Sequence, residues 1–215
     1  MARALVPKLA LLCLIPALVA QTLPDPSSWF PLRTGSRWVY QHESRSGNRN
    51  NPEVSRWTTT ETITSLIHVP EGLVAIRRVE VVGSSTGGYL TARDNSPYLL
   101  HGNCIYVLAG SWDTVAEKVR PDYLQYLANG TTPPDFCFPL QVGRHWGTID
   151  MPWHVQDLQN GLFHIVNDHF GSGSLLDVQF KNKVGIVSEH YLHRGTYDEY
   201  TKTLKFFTPP QSAHN

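Results

Sequence analysis

The sequence predicts a mainly β protein: one antiparallel, strongly curved sheet or partly closed barrel, with a β-sandwich as the second architecture and one short helical segment. Three observations predict it. Segments rich in β-branched and aromatic residues recur at a spacing of roughly ten residues through the second half. Turns containing Gly or Asn separate them. The alternation of strands and helices that builds a parallel sheet is missing. Sheets of about ten strands curl or split into two layers, which leaves barrel and sandwich as the two outcomes.

The elements follow in order. Arg3 and Lys8 form a basic start without acidic residues, and Leu9 to Val19 is an apolar run of 11 residues. This is the layout of a secretory signal peptide, with cleavage expected after Ala20. The run is shorter than the ~20 apolar residues that span a bilayer. Cys13 is preceded by Leu12, where a lipid-attachment site wants Gly, Ala or Ser, so a lipoprotein is not expected. The remaining chain reads as a single β-rich domain over 21–208 and a flexible tail over 209–215. A first strand begins at Trp38-Val39-Tyr40. The polar stretch 44–53 reads as a mobile loop. Residues 55–68 alternate, with Thr58, Thr60, Thr62 and Thr64 on one face and Trp57, Ile63 and Ile67 on the other. Val74 to Val82 is the hairpin partner, and Gly83 to Gly88 a turn. Short strands follow near Tyr89–Ala92 and Cys104–Leu108. Thr114 and Glu117 fit a helix capping box, and Asn129-Gly130 a stop, giving the helical segment 114–128. Strands then run at 153–158, 162–166, 175–180, 184–193 and 197–207, with Asn160-Gly161 a strong hairpin signal.

Composition excludes several classes. Lys+Arg and Asp+Glu are both 18, so there is no basic excess for binding nucleic acid. Charged residues at 17% and aromatics at 11% are wrong for a disordered chain. No second apolar stretch approaches spanning length, so no transmembrane segment is expected after cleavage and the protein is expected to be secreted or periplasmic. Cys104 and Cys137 are then a disulfide candidate, closing a loop worth about 3–4 kcal/mol if unstrained. Buried free thiols are the alternative.

One pattern occurs twice. Phe30-Pro31-Leu32-Arg33-Thr34-Gly35-Ser36-Arg37-Trp38 returns as Phe138-Pro139-Leu140-Gln141-Val142-Gly143-Arg144-His145-Trp146. Both read F-P-L-x-x-G-x-x-W. Proline fixes φ on an extended entry, and glycine permits the positive φ of a tight turn. The Phe, Leu and Trp side chains around that turn are suited to plugging the end of a sheet. On these motifs, and on Val184-Gly185-Ile186-Val187 before a long last strand, the chain resembles a group of secreted bacterial proteins and lipoproteins of unassigned function. The resemblance implies a mainly antiparallel β fold and an exported location, and it carries over no active site. The second copy departs where Gly147-Thr148 replaces an aromatic strand. Asn129-Gly130-Thr131 matches a glycosylation sequon, incidental in the bacterial setting that the resemblance implies.

Candidate chemistry is sparse. Six of ten histidines lie between His145 and His193, and His164, Asp168, His169 and His190 are the candidate metal ligands. Their spacing is poor: His190 and His193 fall on opposite faces of a strand. Gly83-Ser84-Ser85-Thr86-Gly87 matches G-x-S-x-G but lacks the following helix of a nucleophile elbow. Asp198 and Glu199 point to opposite sides of a strand, so no catalytic residue is assigned and no cofactor is expected. These observations imply an exported cell-envelope protein that binds a small apolar ligand or an envelope protein on a curved sheet, with Trp57, Tyr89, Tyr98 and Tyr191 as the candidate surface. A secreted metal-dependent or His-assisted hydrolase using the 145–193 histidines is the rival, and a purely structural interaction module the third reading.

Overall fold

The structure is a computed structural model that describes residues 26–69, 72–84, 96–108, 133–170, 173–193 and 195–210. A 3-10 turn, Pro26–Ser28, leads into twelve strands: β1 (Arg37–Asn48), β2 (Asn51–Val69), β3 (Gly72–Ser84), β4 (Tyr98–His101), β5 (Cys104–Val107), β6 (Phe136–Cys137), β7 (His145–Thr148), β8 (Met151–Gln159), β9 (Leu162–Phe170), β10 (Ser174–Lys181), β11 (Gly185–His193) and β12 (Tyr197–Thr208). All belong to one antiparallel sheet in the order β6-β5-β4-β3-β2-β1-β12-β11-β10-β9-β8-β7. Successive strands pair throughout, and β1 joins β12. The sheet curls until its edges nearly meet. Phe136 of β6 packs on Trp153 of β8, ring centroids 6.5 Å apart, across the seam. This is a nearly closed barrel rather than a sandwich.

The two motif copies occupy equivalent places. Gly35 (φ 89°) and Gly143 (φ 81°) take the left-handed backbone that their turns require. In the first copy, the Gly35 amide donates to Ile63 and the Ile63 amide to Ser36. In the second, the Gly143 amide donates to Val155 and the Val155 amide to Arg144. A turn from the opposite half then ties down each Phe-Pro segment. The Lys183 amide donates to the Trp29 carbonyl, while the Phe138 amide donates to Asn103. Asn103 Nδ2 returns a hydrogen bond to the Phe138 carbonyl. The peptide bond before Pro139 is cis.

Phe30, Leu32, Trp38, Phe138, Leu140 and Phe180 are each at most 2% exposed and fill one end of the barrel. The rings of Phe30 and Phe180 meet edge to face at 6.0 Å, and Trp38 Nε1 donates to the Val184 carbonyl at 2.6 Å. Packing of this density fixes the side chains. Trp146 is only half-buried, stacked on Trp153 at 6.3 Å, and its indole nitrogen has no acceptor among the described residues. Gly147 accounts for the departure in the second copy. At φ 99°, a Cβ there would fall 2.2 Å from the Met151 carbonyl oxygen, so β7 turns back at once into β8.

Three expectations are corrected. Residues 44–53 are not a loop: β1 and β2 pair without a break from Arg37–Thr62 to Asn48–Asn51. Their polar composition reflects a hairpin whose far end stands clear of the apolar plug. Ile67 is not on the face of Trp57 and Ile63. A β-bulge between Ile63 and Ser65 reverses the alternation, as bulges do. Leu66 therefore joins the barrel core, and Ile67 packs with Val74, Leu99 and Tyr106 on the outer face. Gly83 is not in a turn but in β3, opposite Trp57. The Asn160-Gly161 hairpin is present, with φ of 53° and 76°. The signal segment, the strand at 89–92, the helix at 114–128, Asn129 and residues 211–215 lie outside the described residues. Strands β4, β6 and β7 are additional to those expected from sequence.

Candidate functional site: the inner wall of the barrel

Alternation decides what points inward. On β1, Trp38, Tyr40 and His42 are all buried. On β2, Trp57, Thr59, Glu61 and Ile63 share the inner face. Arg77 comes from β3 and Lys202 from β12, and both are 8% exposed. The middle of the barrel thus holds a buried ion triad. Lys202 Nζ donates to Glu61 Oε1 at 3.0 Å, and Arg77 Nη1 donates to Glu61 Oε2 at 3.0 Å. Arg77 also donates to the Tyr98 hydroxyl and the Ser96 carbonyl, each at 3.0 Å. Both cations lie over tyrosine rings: Lys202 Nζ is 4.1 Å from the Tyr40 centroid, and the Arg77 guanidinium carbon is 4.8 Å from that of Tyr98. Burial pushes the Glu61 carboxyl up, but Lys202 and Arg77 together outweigh it and hold it at about 2. Burial also drives the Tyr98 hydroxyl to about 12.

Next to the triad, toward the β1–β2 turn, lies an aromatic layer. His42 stacks on Trp57 at 5.1 Å with planes 5° apart. Its Nδ1 is 2.7 Å from the Tyr200 hydroxyl and its Nε2 is 2.7 Å from Thr59 Oγ1. Burial, assisted by the charge of Lys202, lowers His42 to about 4, so it is a neutral ring at neutral pH. One of its nitrogens then donates and the other accepts. Tyr200 lies 6.0 Å from Trp57. On β12, Asp198 and Tyr200 continue the face of Lys202; on β11, Glu189 and Tyr191 continue that of Ile186 after a bulge. These residues are half-buried, in contrast to the plug at the other end. Burial raises the Glu189 carboxyl, opposed by the charge of Lys202. At the rim, Ser46, Gly47, Asn48, Arg49, Gly195, Thr196, Tyr197 and Asp198 border a wide-open cavity of about 750 Å³.

Of the expected binding surface, Trp57 and Tyr191 lie on this inner wall. Tyr98 is 4% exposed and belongs to the ion cluster rather than to an open surface. Tyr89 lies outside the described residues. Three of the expected metal ligands, His164, Asp168 and His190, lie on the outside. His164 Nε2 meets Asp177 Oδ2 at 2.7 Å, with Asp157 3.6 Å from Nδ1, and His190 Nε2 meets Glu199 at 3.0 Å. Asp168 is exposed, and of the His169 side chain nothing is described. Asp177 holds His164 Nε2 by a hydrogen bond and Asp157 lies at ion-pair distance from Nδ1, and no group of three His, Cys, Asp or Glu among the described residues is placed to hold a metal ion. Cys104 and Cys137, opposite each other on β5 and β6, are joined by a disulfide with an S–S distance of 1.97 Å.

Sequence reasoning missed Glu61, Arg77, Lys202, His42, Tyr200 and Glu189. One signal was available: Glu61 stands between Trp57 and Ile63 on the face opposite the threonine row.

Fold and inner wall together define a class: a nearly closed antiparallel barrel, plugged with aromatic side chains at one end and lined with aromatic and polar groups at the other. No protein-family model matches the chain, and no curated protein matches it. Among solved structures, it is similar to a Bacteroides fragilis NCTC 9343 protein described as exported and of YmcC-like fold. That likeness has a TM-score of 0.42 and 8% identity over 84% of this chain and 98% of the other. It is also similar to a Parabacteroides distasonis ATCC 8503 protein described as a lipoprotein, with a TM-score of 0.45 and 9% identity over 84% and 99% of the two chains. No helix among the described residues is long and apolar enough to cross a membrane.

Proposed function

We propose that the protein is an exported, non-catalytic binding protein of the cell envelope that takes its ligand into the open end of the barrel. The observation that carries this reading is the difference between the two ends. One is filled by fully buried Phe, Leu and Trp side chains, while at the other Tyr191, Tyr200 and Glu189 are half-buried around the buried Trp57. Apolar walls with a few placed polar groups are the usual makeup of a ligand site. Export is supported by the signal-like residues 1–20 and by a disulfide suited to an oxidising compartment. The repeated F-P-L-x-x-G-x-x-W motif supports kinship with the secreted bacterial proteins it resembles. The ligand of this reading contacts polar groups as well as rings, which modifies the first of the two partners expected from sequence, a small apolar ligand or an envelope protein.

Two measurements test it. The form recovered from the envelope of an expressing bacterium should begin at Gln21; a cytoplasmic form retaining residues 1–20 would overturn the export claim. In a thermal-shift screen of small metabolites, at least one compound should raise the melting temperature of the native chain but not of Trp57→Ala. Compounds that shift both alike, or none that shifts the native chain, would remove the binding site.

A further inference from the structure

We propose that His164 is a proton-operated clamp on the seam side of the barrel: the protonated ring binds Asp177 on β10 and Asp157 on β8 at once and ties β8 into the sheet, while the neutral ring holds β10 alone. The device goes beyond the ligand reading and stands apart from it.

A bulge brings the three groups together. The β8–β9 ladder pairs Val155 with Ile165 and then Asp157 with His164, so Gln156 is the extra residue. In an unbroken ladder Gln156 would stand opposite His164; the bulge puts Asp157 there, on the outer face. On the other side, His164 is opposite Gln179 of β10, with Asp177 and Lys181 at the diagonal positions. Lys181 is exposed, and Asp177 takes the ring: His164 Nε2 donates to its Oδ2 at 2.7 Å. Asp157 Oδ2 is 3.6 Å from Nδ1 and accepts from Gln159 at 3.2 Å. The three side chains are between 27% and 33% exposed, neither buried nor free in solvent.

One proton cannot serve both ring nitrogens. Carboxylates only accept, and a neutral imidazole has a single N–H. With that N–H given to Asp177, the Nδ1 lone pair faces the Asp157 oxygen, acceptor against acceptor. A second proton on the ring makes Nδ1 a donor, and both contacts become charge-assisted. Partial burial opposes the charged ring, but Asp177 and then Asp157 outweigh it and raise His164 above its ordinary value of 6.5.

Strand β8 is where a clamp has leverage. Its other neighbour in the sheet is β7, four residues long, and it carries Trp153, which meets Phe136 across the seam. Asp177 is in turn opposite His190 of β11, which Glu199 of β12 holds at 3.0 Å, so the polar row runs from β8 to β12. Because the folded value of His164 is raised, its stabilisation is complete below about 6.5 and is lost as pH rises through the folded value.

The test follows the His164 ring by NMR titration in the native chain, in Asp157→Asn and in Asp177→Asn, and amide hydrogen exchange along β8 at about pH 6 and about pH 8. The His164 midpoint should lie above 6.5 in the native chain and fall in both variants. Protection of the β8 amides, corrected for the intrinsic pH dependence of exchange, should fall severalfold between the two pH values in the native chain and stay level in His164→Gln. A native midpoint at or below 6.5, a midpoint that Asp157→Asn leaves unmoved, or the same change of protection in His164→Gln overturns the clamp. If His164→Gln does not fold, the midpoints of the native chain and the two Asn variants decide alone.

Discussion

Glu61 is the side chain on which the interior turns. The Glu61 carboxylate holds two cations at 3.0 Å, all three groups at most 8% exposed, so each cation depends on it for a partner. Removing one member of a buried ion cluster leaves uncompensated charge and costs about 3–5 kcal/mol, whereas an exposed pair is worth about 0–1 kcal/mol. Glu61→Ala should therefore lower stability in urea by several kcal/mol. Glu43→Ala, which removes the outer-face partner of Arg45 and Arg56, should change it by less than about 1 kcal/mol. Equal effects would contradict the assignment. Acid should expose the same residue. Because Glu61 is held at about 2 when folded, below the ~4.5 of an unfolded glutamate, its contribution is complete above that value and is lost as pH falls toward 2. The Glu61→Gln variant should show a flatter loss of stability across this window. The sequence held a clue to this residue in its alternation with Trp57 and Ile63. Its partners were hidden, because Arg77 on the next strand and Lys202, 141 residues away, each read, alone, as a solvated cation.

The elements divide by how local their causes are. The Asn160-Gly161 hairpin and the long strands β2, β10, β11 and β12 were legible, since turn chemistry and alternation act within a few residues. The far end of the β1–β2 hairpin was not. Its ladder extends over polar residues that composition marks as loop, and register held by the neighbouring β12 maintains it. The inversion at Ile63–Ser65 was equally hidden, because a bulge is a property of two paired strands. Between elements, a close fit onto an aromatic ring is at Gly185, where β11 begins. At φ 98°, its hydrogen faces the Phe30 ring, and a Cβ would come within 2.3 Å of it. Gly185→Ala should combine backbone strain of about 1–2 kcal/mol with overpacking of about 1–3 kcal/mol. Gly161→Ala, also at positive φ but with no atom within 4 Å, should cost only the first. Chemical denaturation of the two variants checks the ordering.

At the scale of the molecule, the curved antiparallel sheet followed from strand count and turn spacing, while the inward charges and the seam did not. Both arise from closure, which brings β1 to β12 and the edge strands near each other. The seam strands are short, four residues in β7 and two in β6, and the second is held by Cys137 bonded to Cys104 on β5. Closing a separation of 33 residues restricts the unfolded chain by about 3–4 kcal/mol. Reduction, or the paired change Cys104→Ser with Cys137→Ser, should lower the melting temperature by several degrees; an unchanged value would mean that the bond closes nothing the unfolded chain misses. The aromatic stopper built by the two motif copies has a consequence for traffic. With Phe30, Leu32, Trp38, Phe138, Leu140 and Phe180 packed across one end, the barrel is a cup and not a pipe. On the binding reading proposed above, a ligand that enters at the rim leaves by the rim, so its residence time is set there and is not shortened by an exit at the plugged end.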